Sequence, residues 1–100
     1  MQQFVKGKMM RFKDKVAIIT GSSRGIGKAI AMGFVSEGAK VVIASRKQPT
    51  IDEVVDEIHA AGGEAIGIAT HTGDVDQCKN LIDQTVEAFG KVDVLVNNAA

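Results

Sequence analysis

Apolar residues gather in short, mostly continuous runs at Val16 to Thr20, Val41 to Ala44, Ala65 to Ala69 and Val92 to Val96, with longer mixed stretches between them. Runs without strict alternation suit strands whose sheet is covered on both faces. Between them apolar positions recur at helical spacing. The first such stretch puts Ile26, Ala29, Ile30, Gly33 and Phe34 on one face, with Gly33 allowing a close approach to the sheet and Gly38 placed to cap the C-terminus. The second begins after Pro49, where Thr50-Ile51-Asp52-Glu53 spells a capping box; Ile51, Val54, Val55 and Ile58 point inward and Gly62-Gly63 ends it. The third starts at Asp74 with Gln77 three residues on, stacks Cys78, Leu81, Ile82, Val86 and Phe89 on its buried face, and stops at Gly90. The order βαβαβαβ with short connections predicts an α/β fold built on a parallel sheet.

Chemistry concentrates where the first strand meets the first helix, at Thr20-Gly21-Ser22-Ser23-Arg24-Gly25-Ile26-Gly27-Lys28. Glycines at such a junction let the backbone turn sharply and come close to a ligand, and the helix that follows aims unpaired N–H groups and a positive dipole end at an anion. A Walker-type loop is excluded by spacing, because Ala29 stands where Ser or Thr must follow Gly-Lys and Ser22 occupies the upstream glycine slot. The ordinary dinucleotide fingerprint sets its first two glycines two apart, whereas Gly21 and Gly25 are four apart.

That widened TGxxxGIG spacing resembles the short-chain dehydrogenase/reductase family. The stretch Val92-Asp93-Val94-Leu95-Val96-Asn97-Asn98-Ala99-Ala100 is similar to the family's fourth strand and its Asn-Asn-Ala-Gly signature, with Ala100 at the position of the final glycine. The resemblance runs from about Phe12 to the last residue. It implies a Rossmann-like, doubly wound sheet, here partial, with strand order 3-2-1-4 and a ligand crevice between the first and fourth strands, where Gly21 and Asn98 should meet. Residues 12–100 then form the N-terminal part of a dinucleotide-binding domain, truncated after the fourth strand, and residues 1–11 a loose extension. The cofactor-binding set is Gly21, Ser22, Ser23, Arg24, Gly25, Ile26, Gly27, Ser45, Arg46, His71, Thr72, Asn98, Ala99 and Ala100.

Cofactor choice is written after the second strand, where NAD-specific sites place a carboxylate on the ribose hydroxyls. No acidic residue lies between Lys40 and Ile51, and the strand runs into Ser45-Arg46-Lys47. A guanidinium matches phosphate oxygens and stays charged, so NADP(H) is favoured over NAD(H). Arg24 adds to this, since NADP-preferring members of the family often carry a basic residue there. The plain alternative makes Arg46 and Lys47 solvated loop charges. At the third strand's end the family usually has Asp against adenine, and this chain has His71-Thr72; a neutral imidazole accepts a hydrogen bond in one tautomer only. His71 as an ordinary exposed loop residue is an equal reading.

The family transfers hydride between the nicotinamide and a carbonyl or alcohol carbon, using a Ser and a Tyr-x-x-x-Lys pair. This sequence has no tyrosine. No catalytic residue is therefore assigned, and the chain by itself is expected to be inactive; a noncatalytic nucleotide-binding module or sensor is the alternative. The implied partners are a nicotinamide dinucleotide and, in a longer parent, a small carbonyl or alcohol substrate and a homo-oligomer.

Composition narrows the surroundings. Twelve basic and twelve acidic residues among 100 balance to zero, which leaves no global field for nucleic acid or an anionic membrane. No apolar run approaches a membrane span. The single Cys78 rules out an internal disulfide and supplies no metal set; its place on a helical stripe suits core packing, and the expected location is the cytoplasm.

Overall fold

A computed structural model describes residues 10–98. The elements are β1 (Val16–Thr20), α1 (Gly25–Ser36), β2 (Lys40–Ser45), α2 (Gln48–Ala60), β3 (Ala65–Ala69), α3 (Val75–Phe89) and β4 (Val94–Val96). The strands form one parallel sheet in the order β3-β2-β1-β4. Ile18 pairs with Val42 on one side and Leu95 on the other, so β1 is central, and all five of its residues are buried.

Side chains alternate across the pleat and divide the core in two. Ala17, Ile19, Val41 and Ile43 face α1 and α2, meeting Ala31, Val35, Ile51, Val54 and Ile58. Ile18, Val42, Ala44 and Ile68 face the other way and meet Leu81 of α3. This is the doubly wound arrangement expected from the sequence. The second layer is thinner: on α3 only Leu81 and Thr85 are buried, and Ile82 and Val86 stay exposed.

Several local expectations are corrected. The buried row of α1 is Gly27, Ala31 and Val35, while Ile26 is 74% exposed and Ala29 and Gly33 face outward. Small residues spaced four apart let the helix axis settle close to the sheet, and Gly27, not Gly33, makes the close approach. The α2 capping box does not form. The helix begins at Gln48 with Pro49 in its first turn, and the Thr50 hydroxyl donates to the Lys47 carbonyl at 2.9 Å. Proline lacks the N–H that a cap would have to satisfy, so the start moves ahead of it. Cys78 is half-buried, its thiol donating to the Thr72 carbonyl at 3.4 Å.

β4 begins two residues later than its apolar run. Asp93 interrupts: its carboxylate accepts the Val16 N–H at 2.8 Å while its own N–H donates to the Val16 carbonyl at 2.9 Å. The backbone bond from Val16, then the neighbouring Lys91 ammonium at 3.1 Å, hold this carboxyl below the ordinary aspartate range. A strand start is thereby pinned by a side chain.

Candidate functional site

The C-terminal edge of the sheet carries the site, and it is assembled from the ends of β1, β2, β3 and β4. After Thr20 the chain turns through Gly21 and Gly25, which have φ of 61° and 60°, a region that costs an ordinary side chain about 1–2 kcal/mol. At Gly27 a Cβ would collide with the Gly21 carbonyl oxygen and lie 2.7 Å from Asn98 Nδ2. At Gly25 it would meet nothing within 4 Å. One glycine lets the loop fold on itself and the other leaves bare backbone facing outward.

The helix start behind this loop is open. Arg24 occupies the N-cap with extended backbone, no side chain caps the first turn of α1, and no acidic residue lies in it. Its leading amides are therefore presented to the crevice, as anion-binding helix ends are. Such a bare glycine cradle in front of an uncapped helix fits a pyrophosphate.

Two serines hold the loop from behind. Ser22 is fully buried; its hydroxyl donates to the Ile19 carbonyl at 2.6 Å and accepts from Ala44 N at 3.0 Å. It braces the loop from inside the sheet and does not reach the crevice. Ser23 donates to Ser45 Oγ at 3.0 Å, tying the loop to the end of β2. Opposite, Asn98 N donates to Thr20 Oγ1 at 2.9 Å and its side-chain amide to the Gly21 carbonyl at 3.4 Å. Gly21 and Asn98 thus meet at the switch between β1 and β4. Ala99 and Ala100 lie outside the described residues.

An open crevice of about 660 Å³ runs along this edge, bordered by Gly21, Ser23, Arg24, Gly25 and Ile26, by Ser45 and Arg46, by Thr70 and Thr72, and by Asn98. Beside it lies a smaller recess of about 260 Å³ lined by Ser23, Arg24, Ser45, Arg46, Lys47 and Thr50. Three cations and three hydroxyls line the recess, and no carboxylate does. Among the described residues Arg24, Arg46 and Lys47 form no ion pair, whereas Lys28 is engaged with Glu57 at 2.9 Å. No side chain lining the recess offsets its positive charge.

His71 is exposed, next to the crevice and not in its wall. Its ring Nδ1 lies 3.0 Å from Gly73 N, and Nε2 lies 3.4 Å from Arg46 Nη2. Sequence reasoning missed Thr50 and Thr70 as lining residues and Thr20 as the hydroxyl that receives Asn98. Thr20 had a signal, a polar residue closing an apolar run directly before the first glycine. Thr50 had none, since the same residue reads equally as a helix cap. Among the described residues no group of His, Cys, Asp and Glu is placed to hold a metal, and no helix is long and apolar enough to cross a membrane.

Comparison with known proteins agrees with this geometry. The sequence pattern of the short chain dehydrogenase family matches residues 15–100. Tropinone reductase-like 3 of Erythroxylum coca is 53% identical over 90 residues, which are 90% of this chain and 35% of that protein. A hydroxysteroid dehydrogenase from Escherichia coli superposes with a TM-score of 0.88 at 41% identity, covering 91% of this chain and 39% of that one. A short chain dehydrogenase/reductase from Burkholderia phymatum, solved in complex with NAD, gives 0.82 at 41% identity, covering 87% and 31%. The chain spans about a third of the length of the relatives it matches.

Proposed function

The chain belongs to the short-chain dehydrogenase family, and on that premise we propose that it forms the NADP(H)-holding part of an oxidoreductase acting between a carbonyl and an alcohol. The observation that carries the cofactor preference is the recess at the end of β2, where Arg24, Arg46 and Lys47 converge with no carboxylate among them. A 2′-phosphate placed there meets fixed guanidinium donors, and a ribose hydroxyl pair meets no acceptor of the kind that NAD-specific sites supply.

Division of labour follows from the site. The uncapped amides of α1 hold the pyrophosphate, Arg46 and Arg24 hold the 2′-phosphate, and Asn98 with Thr20 keeps the β1–β4 crevice in shape for the nicotinamide end. When bound, the nicotinamide ring supplies or accepts the hydride. These residues bind and orient; with no tyrosine present, none takes the proton-transfer role that the family gives to Tyr. The 100-residue chain is accordingly a binding unit, with the cytoplasm as its expected setting and a homo-oligomeric, longer protein as its catalytic context.

The test is a titration of the protein with NADPH and with NADH. NADPH is expected to bind at least about tenfold tighter, the worth of one charge-assisted contact, and Arg46→Asp is expected to reverse the order. Tighter binding of NADH by the wild-type chain overturns the cofactor preference. Steady oxidation of NADPH dependent on an added carbonyl compound overturns the restriction to binding.

A further inference from the structure

His71 stands outside the wall of the recess but against Arg46, one of the residues that line it. Thr70 N donates to the Ser45 carbonyl at 2.6 Å, so the chain leaving β3 is laddered to the end of β2 and sets His71 opposite Arg46. Its backbone N–H is held by Gln77 Oε1 at 2.8 Å, and the Gly73 N–H points at ring Nδ1 from 3.0 Å. Gly73 also fits under the ring, because a Cβ there would come within 2.8 Å of Cε1. An exposed histidine is thereby fixed in place.

A neutral imidazole has one acceptor nitrogen and one donor. Two donors face this ring, the Gly73 amide at 3.0 Å and the Arg46 guanidinium at 3.4 Å. The backbone amide is closer and cannot turn away, so it takes the lone pair on Nδ1 and leaves the proton on Nε2. Nε2–H and Arg46 Nη2–H then converge as two donors 3.4 Å apart, and neither of these two nitrogens has another hydrogen-bond partner among the described residues. An atom that accepts from both must carry more than one lone pair, as a phosphate oxygen does and an adenine ring nitrogen does not.

We infer that His71 is a second ligand of the cofactor's 2′-phosphate, donating from Nε2 to an oxygen shared with Arg46, and that Gly73 selects the tautomer that makes this possible. The inference rests on the NADP(H) reading above. It makes His71 a determinant of cofactor specificity acting through phosphate and not through adenine.

Calorimetric titration of the protein with adenosine 2′,5′-bisphosphate and with adenosine 5′-monophosphate tests it. His71→Ala is expected to weaken the bisphosphate about tenfold and to leave the monophosphate within about twofold. Gly73→Ala, which pushes the ring aside while keeping it, is expected to act in the same direction. Nitrogen NMR of the ring is expected to place the proton on Nε2 in the wild-type chain. Equal losses for both ligands mean that His71 reads adenine, and no loss for either means that it is a bystander; each overturns the inference, as does a proton found on Nδ1. A wild-type preference for the bisphosphate that survives His71→Ala but not Arg46→Ala refutes the role of His71 alone, whereas a wild-type chain without that preference refutes the NADP(H) reading and this inference together.

Discussion

Two helices begin at the same edge of the sheet and treat their free amides in opposite ways. At α3 the Asp74 carboxylate accepts from Gln77 N at 3.1 Å, the Gln77 side chain bonds back to Asp74 at 3.4 Å and takes the His71 N–H at 2.8 Å, and Asp76 adds negative charge to the first turn. At α1 the cap position holds Arg24, with no capping bond and no acid. Both helix dipoles point their positive ends toward the same rim. The first is neutralised by the chain itself; the second, flanked by Arg24 and Arg46, has no such partner in the chain, and under the proposed function it receives the pyrophosphate. Stability and binding draw on one kind of group, and an amide committed to a cap in every state is lost to the cofactor.

The harshest way to break this contrast is Gly27→Ala. The added methyl collides with the Gly21 carbonyl and crowds Asn98, so denaturant unfolding is expected to show a loss of about 1–3 kcal/mol, with dinucleotide affinity falling by more than about tenfold. Gly33→Ala on the same helix, where a Cβ meets nothing within 4 Å, is expected to gain about 0.5–1 kcal/mol and bind as before. Similar outcomes at the two positions would remove the special status of the α1 start.

Exchanging the two ends sharpens the comparison. Asp74→Ala is expected to cost about 1 kcal/mol of stability with dinucleotide affinity within about twofold. Arg24→Asp gives α1 the cap that α3 has, so its thermal midpoint should rise or hold while dinucleotide affinity drops about tenfold. If Asp74→Ala damages binding, or Arg24→Asp leaves it intact, the assignment of one end to stability and the other to ligand is wrong.

The smallest effect concerns a carboxylate that does for a strand what Asp74 does for a helix. Asp93 receives the Val16 N–H, and its carboxyl is lowered first by that bond and then by Lys91. A lowered value in the folded chain means that the stabilisation is complete above the ordinary aspartate range and fades as pH falls through the folded value, below about pH 4. Asp93→Asn is expected to flatten the acid limb of a stability-against-pH profile and to leave neutral-pH cofactor binding unchanged. An unaltered acid limb would show that the Val16 contact carries no weight.

Element order, strand identity and the glycine turn between β1 and α1 were legible in the sequence, because each rests on local chemistry: mostly apolar runs, three glycines at one junction, an Asp with Gln three residues on. The strand order and the meeting of Gly21 with Asn98 were legible through the family resemblance. Which face of α1 is buried was not. Ile26 looks like a core residue in one dimension, yet the sheet accepts the small row Gly27, Ala31, Val35 and leaves Ile26 in the crevice, since close approach of the helix outweighs burial of one large side chain. Pro49 likewise moved the α2 start and freed Thr50 to line the recess.

Local order along the chain therefore determined what kind of molecule this is, a parallel α/β sheet with a glycine-rich turn leading from its central strand into a helix. Tertiary structure alone decided the partners: Ser22 turned inward as a brace, Arg24, Arg46 and Lys47 gathered on one recess, and His71 brought to Arg46. Contacts between residues 22 to 25 positions apart depend on how β1, β2 and β3 stand side by side, and a register is a property of the assembled sheet that no single segment contains.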